Sequence, residues 1–361
     1  MNRIGALTAS ACAGALVTLV ATSAAVAKPI AKVVYAGPPP QTQAIAGKYL
    51  PKSFGKTYQP DINAFFNKRT TINVGDTVSF RLRGFHTVDL PGKTGQDLPL
   101  ILPSGGLVNN VNDAAGNPFW FNGHVPALGF NPALFKPQTS VSYNGTKRID
   151  TGLPLGSGAP KPLNVRFTKP GTYKFFCDVH PGMEGVVVVK PKGKPIPSAK
   201  QDTAALVAQV TSDIKAAKKA ATTAVPADTV SLGQSTPSGV ELFAMFPASL
   251  TVPAGTTVTF RMSKYTRETH TASFGPASYL TTLANSFSGP APSPIALYPS
   301  DPPPISETLT SHGNGFASTG ALDQDSTTPL PSSNKIDFTQ PGTYHFVCLV
   351  HPFMHGTIIV K

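Results

Sequence analysis

Along residues 77–82 the side chains alternate, with Thr77, Ser79 and Arg81 on one side of an extended chain and Val78, Phe80 and Leu82 on the other. A period of two with β-branched and aromatic residues on one face marks a half-buried β-strand. Pro170-Gly171 and Pro341-Gly342 are turn signals, and each leads into a further strand. In those strands Tyr173, Phe175 and Cys177 share one face, and Tyr344, Phe346 and Cys348 share the corresponding one. Both cysteines are therefore expected to leave the end of a strand on its core-facing side. The runs GVVVV and GTIIV supply closing strands, and their continuous β-branched character suits burial. Helical spacing is found in one segment. From about Gln201 to Thr223, Leu206, Val207, Val210, Ile214 and Ala217 recur near helical intervals in Ala-rich sequence. This predicts a short amphipathic helix packed on a domain or an interface, a reading favoured over a membrane-lying role for Lys215, Lys218 and Lys219.

The pattern occurs twice. TINVGDTVSFRLRGFHTVDLPG (71–92) aligns with LTVPAGTTVTFRMSKYTRETHTASFG (250–275), and VRFTKPGTYKFFCDVHPGMEGVVVVK (165–190) aligns with IDFTQPGTYHFVCLVHPFMHGTIIVK (336–361). Strand order, turn residues and periodicity agree, so the chain is an internal duplication. The expected class is all-β, two Greek-key sandwiches joined by a linker that carries the short α-helix. The expected units are residues 28–191, a linker over 192–227, and residues 228–361. Each repeat holds a long insertion between its two blocks, residues 93–163 and 276–334. Loops of that length are uncommon without structure or function of their own, and these are expected to fold over one end of each sandwich, near the sites described next.

Composition adds the compartment. Residues 1–27 combine one early charge (Arg3), an apolar run and the small-residue stretch Ala25-Val26-Ala27, which reads as a signal peptide cut before Lys28. Cys12 would leave with it. The remaining cysteines, Cys177 and Cys348, sit at matching places in separate repeats, which favours a metal or redox role over a cross-link. No later apolar run is long enough to span a bilayer. An exported chain of this kind is placed in the periplasm, at the cell surface or outside the cell. Residues 28–189 carry 17 Lys/Arg against 8 Asp/Glu, residues 190–224 carry 7 against 2, and residues 228–361 carry 5 against 8. Such asymmetry suits different partners at the two ends, or simply a solvated surface. No motif supports nucleic-acid binding, which export also disfavours.

The chemistry lies in C-x₂-H-x₂-M, present as Cys177, His180, Met183 and again as Cys348, His351, Met354. A soft thiolate, two imidazoles and a weak thioether make the trigonal copper site with a long axial bond used for electron transfer. The missing imidazole has to come from another strand, and His86 and His270 stand just after the long strand of each repeat. One motif alone is weak. Two matched sets behind a PGTY strand, each with an upstream His, are specific.

By these residues the chain resembles the cupredoxins, the plastocyanin/azurin family of blue copper proteins, and CLVHPFM is most similar to the amicyanin and pseudoazurin ligand loop. The resemblance covers about half of each repeat. It implies one copper held by His86, Cys177, His180 and Met183 and a second held by His270, Cys348, His351 and Met354. Thr87 and Thr271 depart from the Asn that family members often use to tie the ligand loops together. The resemblance also implies that His180 and His351 face solvent, within an apolar ring of Pro181, Pro352 and Phe353 on which redox partner proteins dock, Phe353 reading equally as loop packing. The expected function is an exported electron carrier rather than an enzyme. The alternatives are copper buffering or delivery, or a multicopper oxidoreductase of the nitrite reductase or laccase type. The latter needs additional histidine ligands, and no H-x-H pair or His directly before Cys is present. The spare histidines are His124 and His312, in the insertions and able to approach a neighbouring site, His345, expected at solvent or in packing, and His355, expected to face solvent.

Overall fold

The computed structural model describes residues 29–156, 158–308 and 310–361. The expected leader and its cleavage site lie outside the described residues. Each repeat folds as two facing sheets. In the first, one sheet runs Phe65–Phe66, Ala31–Ala36, Thr77–Leu82, Leu163–Phe167, Ser142–Tyr143. The other runs Ile149–Asp150, Asp89–Leu90, Gly171–Phe176, Glu184–Lys190, Arg69–Asn73. The second sandwich repeats the plan. One sheet runs Ile305–Glu307, Ser333–Phe338, Thr256–Met262, Thr229–Ser235, Val240–Phe246, and the other Ser249–Val252, His355–Val360, Gly342–Val347, Ser273–Phe274, Ala317–Ser318. The fold is two β-sandwiches, as the periodicity indicates.

The long strand of each repeat pairs in parallel with the strand that opens its sandwich, Ala31–Ala36 and Thr229–Ser235 respectively. Thr77–Leu82 lies between two neighbours, and Ser79 is buried along with Val78 and Phe80. The closing strands behave differently from the expectation of full burial. Gly185, Val187 and Val189 are buried while Val186 and Val188 are half-exposed, and His355–Val360 alternates in the same way. They belong to sheets with one face on the core and the other toward water, where alternation is what burial demands.

Each core is centred on a phenylalanine two residues before the cysteine. Phe175 meets Phe65 and Phe80 edge-on at 4.7 and 5.1 Å between centroids, and Phe346 meets Phe260 edge-on at 5.4 Å. These rings lie across Gly185 and Gly356 on the paired strand. A Cβ at either glycine would come within 2.3 Å of the ring. The glycine that ends both ligand motifs is thus a packing requirement of the aromatic core.

The helix spans Ala199–Ala220, six turns rather than a short one, and begins with a capping box between Ser198 and Gln201. Leu206, Val210, Ile214 and Ala217 are buried, whereas Val207 is on the solvent face. Its apolar stripe joins Ile45 and Phe54 from the first repeat to Val240, Leu242 and Phe246 from the second. The sandwiches are also joined through backbone, because Pro60–Ile62 adds antiparallel to Val240–Phe246 as an edge strand of the second sandwich. Among the described residues, no helix is long and apolar enough to cross a membrane.

Glu307 turns inward from an edge strand of the second sandwich; it is 2 % exposed and its Oε2 has no hydrogen-bond partner. Burial, with a smaller contribution from Asp301, pushes its carboxyl up from 4.5 to about 8. The folded state therefore binds the proton more tightly than the unfolded chain, and stability falls as pH rises from about 4.5 to about 8. Glu307→Gln is expected to raise the thermal midpoint at pH 8 while leaving it unchanged at pH 4, read by calorimetry across that range.

Candidate metal centres

His86 and His270 follow the long strands Thr77–Leu82 and Thr256–Met262, in the segments that cross to Asp89–Leu90 and Ser273–Phe274 in the facing sheets. Cys177 and Cys348 leave the ends of Gly171–Phe176 and Gly342–Val347 in those facing sheets, so each site is anchored from both layers. The loop after each cysteine closes on itself. Met183 N–H donates to the His180 carbonyl at 3.0 Å, and Cys177 N–H donates to the Met183 carbonyl at 3.0 Å. The same two bonds in the second repeat measure 2.9 and 3.1 Å.

This brings the predicted groups together. In the first repeat, His86 Nδ1 and His180 Nδ1 are 3.0 Å apart and lie 3.9 and 3.4 Å from Cys177 Sγ. In the second, His270 Nδ1 and His351 Nδ1 are 3.1 Å apart and lie 3.6 and 3.9 Å from Cys348 Sγ. Bonds of about 2.0 Å to nitrogen and 2.3 Å to sulfur in a trigonal plane require edges of roughly 3.4–3.8 Å. Both triangles are close to that size, and the donor set of one thiolate and two imidazoles fits copper. Met183 and Met354 are each 1 % exposed and share a core cluster with their cysteine. Both cysteines are free thiols, so no disulfide competes for the sulfur.

Thr87 and Thr271 perform the tying role that their departure from Asn put in question. Each donates its backbone N–H to the cysteine sulfur at 3.4 Å. Each hydroxyl also accepts the N–H of the residue after the cysteine, Asp178 at 2.7 Å and Leu349 at 2.8 Å. His86 Nε2 is buried without a partner against Gly37. Gly37 has φ +89°, and a Cβ there would stand 2.6 Å from that nitrogen; Gly233, at φ +82°, faces His270 Nε2 less tightly, its Cβ 3.3 Å away. Close backbone approach behind the upstream imidazole is thus built into both halves.

The solvent-facing histidines expected from the family resemblance are not found. His180 is 5 % exposed and His351 is half-buried, because the two sites face one another across the junction of the sandwiches. Between them stands Glu268, whose Oε1 lies 3.2 Å from His180 Nε2 and whose Oε2 lies 3.6 Å from His351 Nε2. Burial raises this carboxyl, but His180, then His351 and His270, outweigh it and hold it far below its usual range. Burial alone would lower His180, yet Glu268 and Cys177 hold it up at about 10. Burial also pushes the Cys348 thiol up to about 11, whereas at Cys177 the neighbouring imidazoles of His180 and His86 overcome burial and lower it.

Glu268 escaped the motif reading because its counterpart in the aligned first repeat is Gly84. The surroundings beneath the first site escaped it as well. Asp178, Asp89 and Asp150 are all buried there with Arg148 paired to Asp89, and burial raises Asp89 to about 7 and Asp178 to about 9. At the second site Leu349 aligns with Asp178 and Ser273 aligns with Asp89. Those mismatches within the repeat were the available signal.

The insertions pack against each other as well as over the sites. Phe119 and Phe121 from the first join Leu280, Leu283 and Phe316 from the second, and Trp120 Nε1 donates to the Pro299 carbonyl at 2.9 Å. His312 lies between Asp113 and Asp301 at 3.3 and 3.2 Å, and His124 is exposed. His345 and His355 are exposed, His345 beside the Thr357 hydroxyl at 3.1 Å. Among the described residues the clusters able to hold a metal are the two triangles. A cleft of about 840 Å³ reaches His86, His180, Glu268 and His351, and Phe85, Leu155 and Phe353 are exposed along it.

No family model matches the chain. Amicyanin-alpha from Methylorubrum extorquens is 36 % identical over 53 residues, which is 14 % of this chain and 44 % of that protein. The chain thus spans less than half the length of that relative. Among solved structures, the oxidised form of plastocyanin from Dryopteris crassirhizoma is 24 % identical, covering 37 % of this chain and 99 % of that one at a TM-score of 0.21. Amicyanin from Paracoccus versutus is 18 % identical, covering 39 % and 88 % at a TM-score of 0.20. The chain thus has duplicated sandwiches, each with a thiolate beside two imidazoles at one end, and one segment similar to an amicyanin.

Removing the Thr87 hydroxyl strands the buried Asp178 N–H. Thr87→Val is expected to cost about 1–3 kcal/mol in urea denaturation, and Thr271→Val a similar amount through Leu349.

Proposed function

We propose that the mature protein is an exported electron carrier with two type 1 copper centres, one in each sandwich. His86, Cys177, His180 and Met183 hold the first ion, and His270, Cys348, His351 and Met354 hold the second. The units are residues 28–191 and 228–361, with residues 192–227 between them and residues 1–27 removed on export to the periplasm, the cell surface or beyond. The observation that carries this reading is the convergence of the same three donors at the same point of two repeats. Bound copper would cycle between Cu(II) and Cu(I). The chain's own contribution is to hold two imidazoles and a thiolate in fixed positions, with N–H groups of Thr87 and Thr271 directed at the sulfur. Such donors and the surrounding apolar core tune the potential. A redox partner protein approaches along the cleft bordered by Phe85, Leu155 and Phe353, rather than through histidines open to solvent.

Copper buffering or delivery would use the same ligands. The two readings separate on exchange, since a carrier keeps its copper through repeated reduction and oxidation while a delivery protein passes it to an acceptor. The mature protein is expected to bind two copper ions and show an intense thiolate-to-copper visible band with type 1 EPR signals. Cys177→Ser and Cys348→Ser should each remove about half of the band. Absence of that band at full copper loading would reject the proposal, and a type 2 signal would point to an enzyme.

A further inference from the structure

Glu268 has surroundings that no single-site cupredoxin function requires. It follows the second sandwich's long strand, two residues before His270, and its side chain is 10 % exposed at the junction of the two halves. One oxygen faces His180 of the first site and the other faces His351 of the second. In both imidazoles Nδ1 is the atom turned to the cysteine sulfur. Nε2 is thereby left as the N–H that can donate outward. A ligand histidine commonly gives that hydrogen to a carboxylate, which fixes the ring and raises its basicity. Here a single carboxylate stands at that position for two centres.

The arrangement is built from both halves. Asn63 of the first repeat donates its side-chain N–H to Glu268 Oε1 at 2.5 Å. Asn63 is placed by the edge strand Pro60–Ile62 on Val240–Phe246, and its own N–H donates to the Gly239 carbonyl at 2.7 Å. Its carbonyl accepts from the Arg267 guanidinium. On the far side of Arg267, the buried Glu241 accepts the Arg267 N–H at 2.8 Å and the Thr266 hydroxyl at 3.1 Å. The segment bearing Glu268 is therefore held by the Asn63 carbonyl of the first sandwich and by the Glu241 carboxylate of the second.

Resting on the electron-carrier reading, we propose that Glu268 is a positioning residue shared by both metal centres and couples them through His180 and His351. Its negative charge faces both sites, so it favours the more positive, oxidised state of each and keeps both potentials lower than they would otherwise be. Removing one electron from either centre adds one positive charge against the same carboxylate. Oxidation at one site is thereby felt at the other, as coupling between sites requires.

The test uses the full mature protein loaded with copper, and the Cys177→Ser and Cys348→Ser backgrounds to leave one thiolate-to-copper band in each. Spectroelectrochemistry of E268Q is expected to shift both remaining centres to higher potential, while E268D, which keeps the charge, returns at least one toward the parent value. In the parent protein, loss of the second centre should displace the potential of the first, and that displacement should shrink in E268Q. A shift at one centre alone, or at neither, overturns the proposal, as does a displacement that E268Q leaves unchanged. Should E268Q fail to hold copper, Asn63→Ala, which loosens Glu268 without touching a histidine, is expected to produce the same paired shift in smaller size. Unshifted potentials in that variant then overturn the proposal. Loss of the visible band from the parent protein would instead reject the blue copper reading on which it rests.

Discussion

Each half of this protein depends on one constraint. An imidazole that follows a strand of one sheet has to meet a sulfur that leaves a strand of the other, at a separation a metal ion could bridge. Neither partner can move far, because His86 and His270 are backed by a close glycine and the cysteines continue strands whose phenylalanines fill the core. The threonine after each upstream histidine binds the two loops together through its backbone and its hydroxyl. A rigid sandwich thus carries its candidate ligand set at one end, where a packed interior limits how far the donors can relax when charge changes.

Duplication usually gives two copies that act separately, but here the copies turn their ligand ends toward each other. The edge strand Pro60–Ile62, the interdomain helix and the interlocked insertions all bury surface between the halves. One result is that His180 is removed from solvent and set against a carboxylate supplied by the other repeat. The surroundings of the two sites also differ, with carboxyls and Arg148 under the first and hydroxyls and Leu349 at the second. On the proposed copper reading, equal ligands in unequal environments would give the two centres different potentials within one chain.

The strands, the repeat and the ligand types were legible because they rest on local rules. Side-chain alternation follows from the pleat, the PG turns follow from backbone dihedrals, and C-x₂-H-x₂-M follows from what a short loop can fold around one ion. Where local rules misled, a neighbour was responsible. The GVVVV run alternates because its sheet has a half-exposed outer face, and Val207 lies outside the buried stripe because the partner surface is narrower than the apolar pattern. The exposure of His180 and His351 could not be read from their motif at all, since it depends on what the other half places over them.

By itself the sequence determined that there are two all-β units, that each ends in a cysteine, a histidine and a methionine suited to one soft metal, and that His86 and His270 are the distant partners. Those facts follow from spacing and from the chemistry of the side chains. Only the tertiary structure decided that the two ligand ends meet. Glu268, Asn63 and Arg267 have no shared motif; Asn63 lies 205 residues from Glu268 and 204 from Arg267, and Glu268 lies 88 and 83 residues from His180 and His351. Their meeting is set by how one sandwich packs on the other, through contacts that no local pattern encodes.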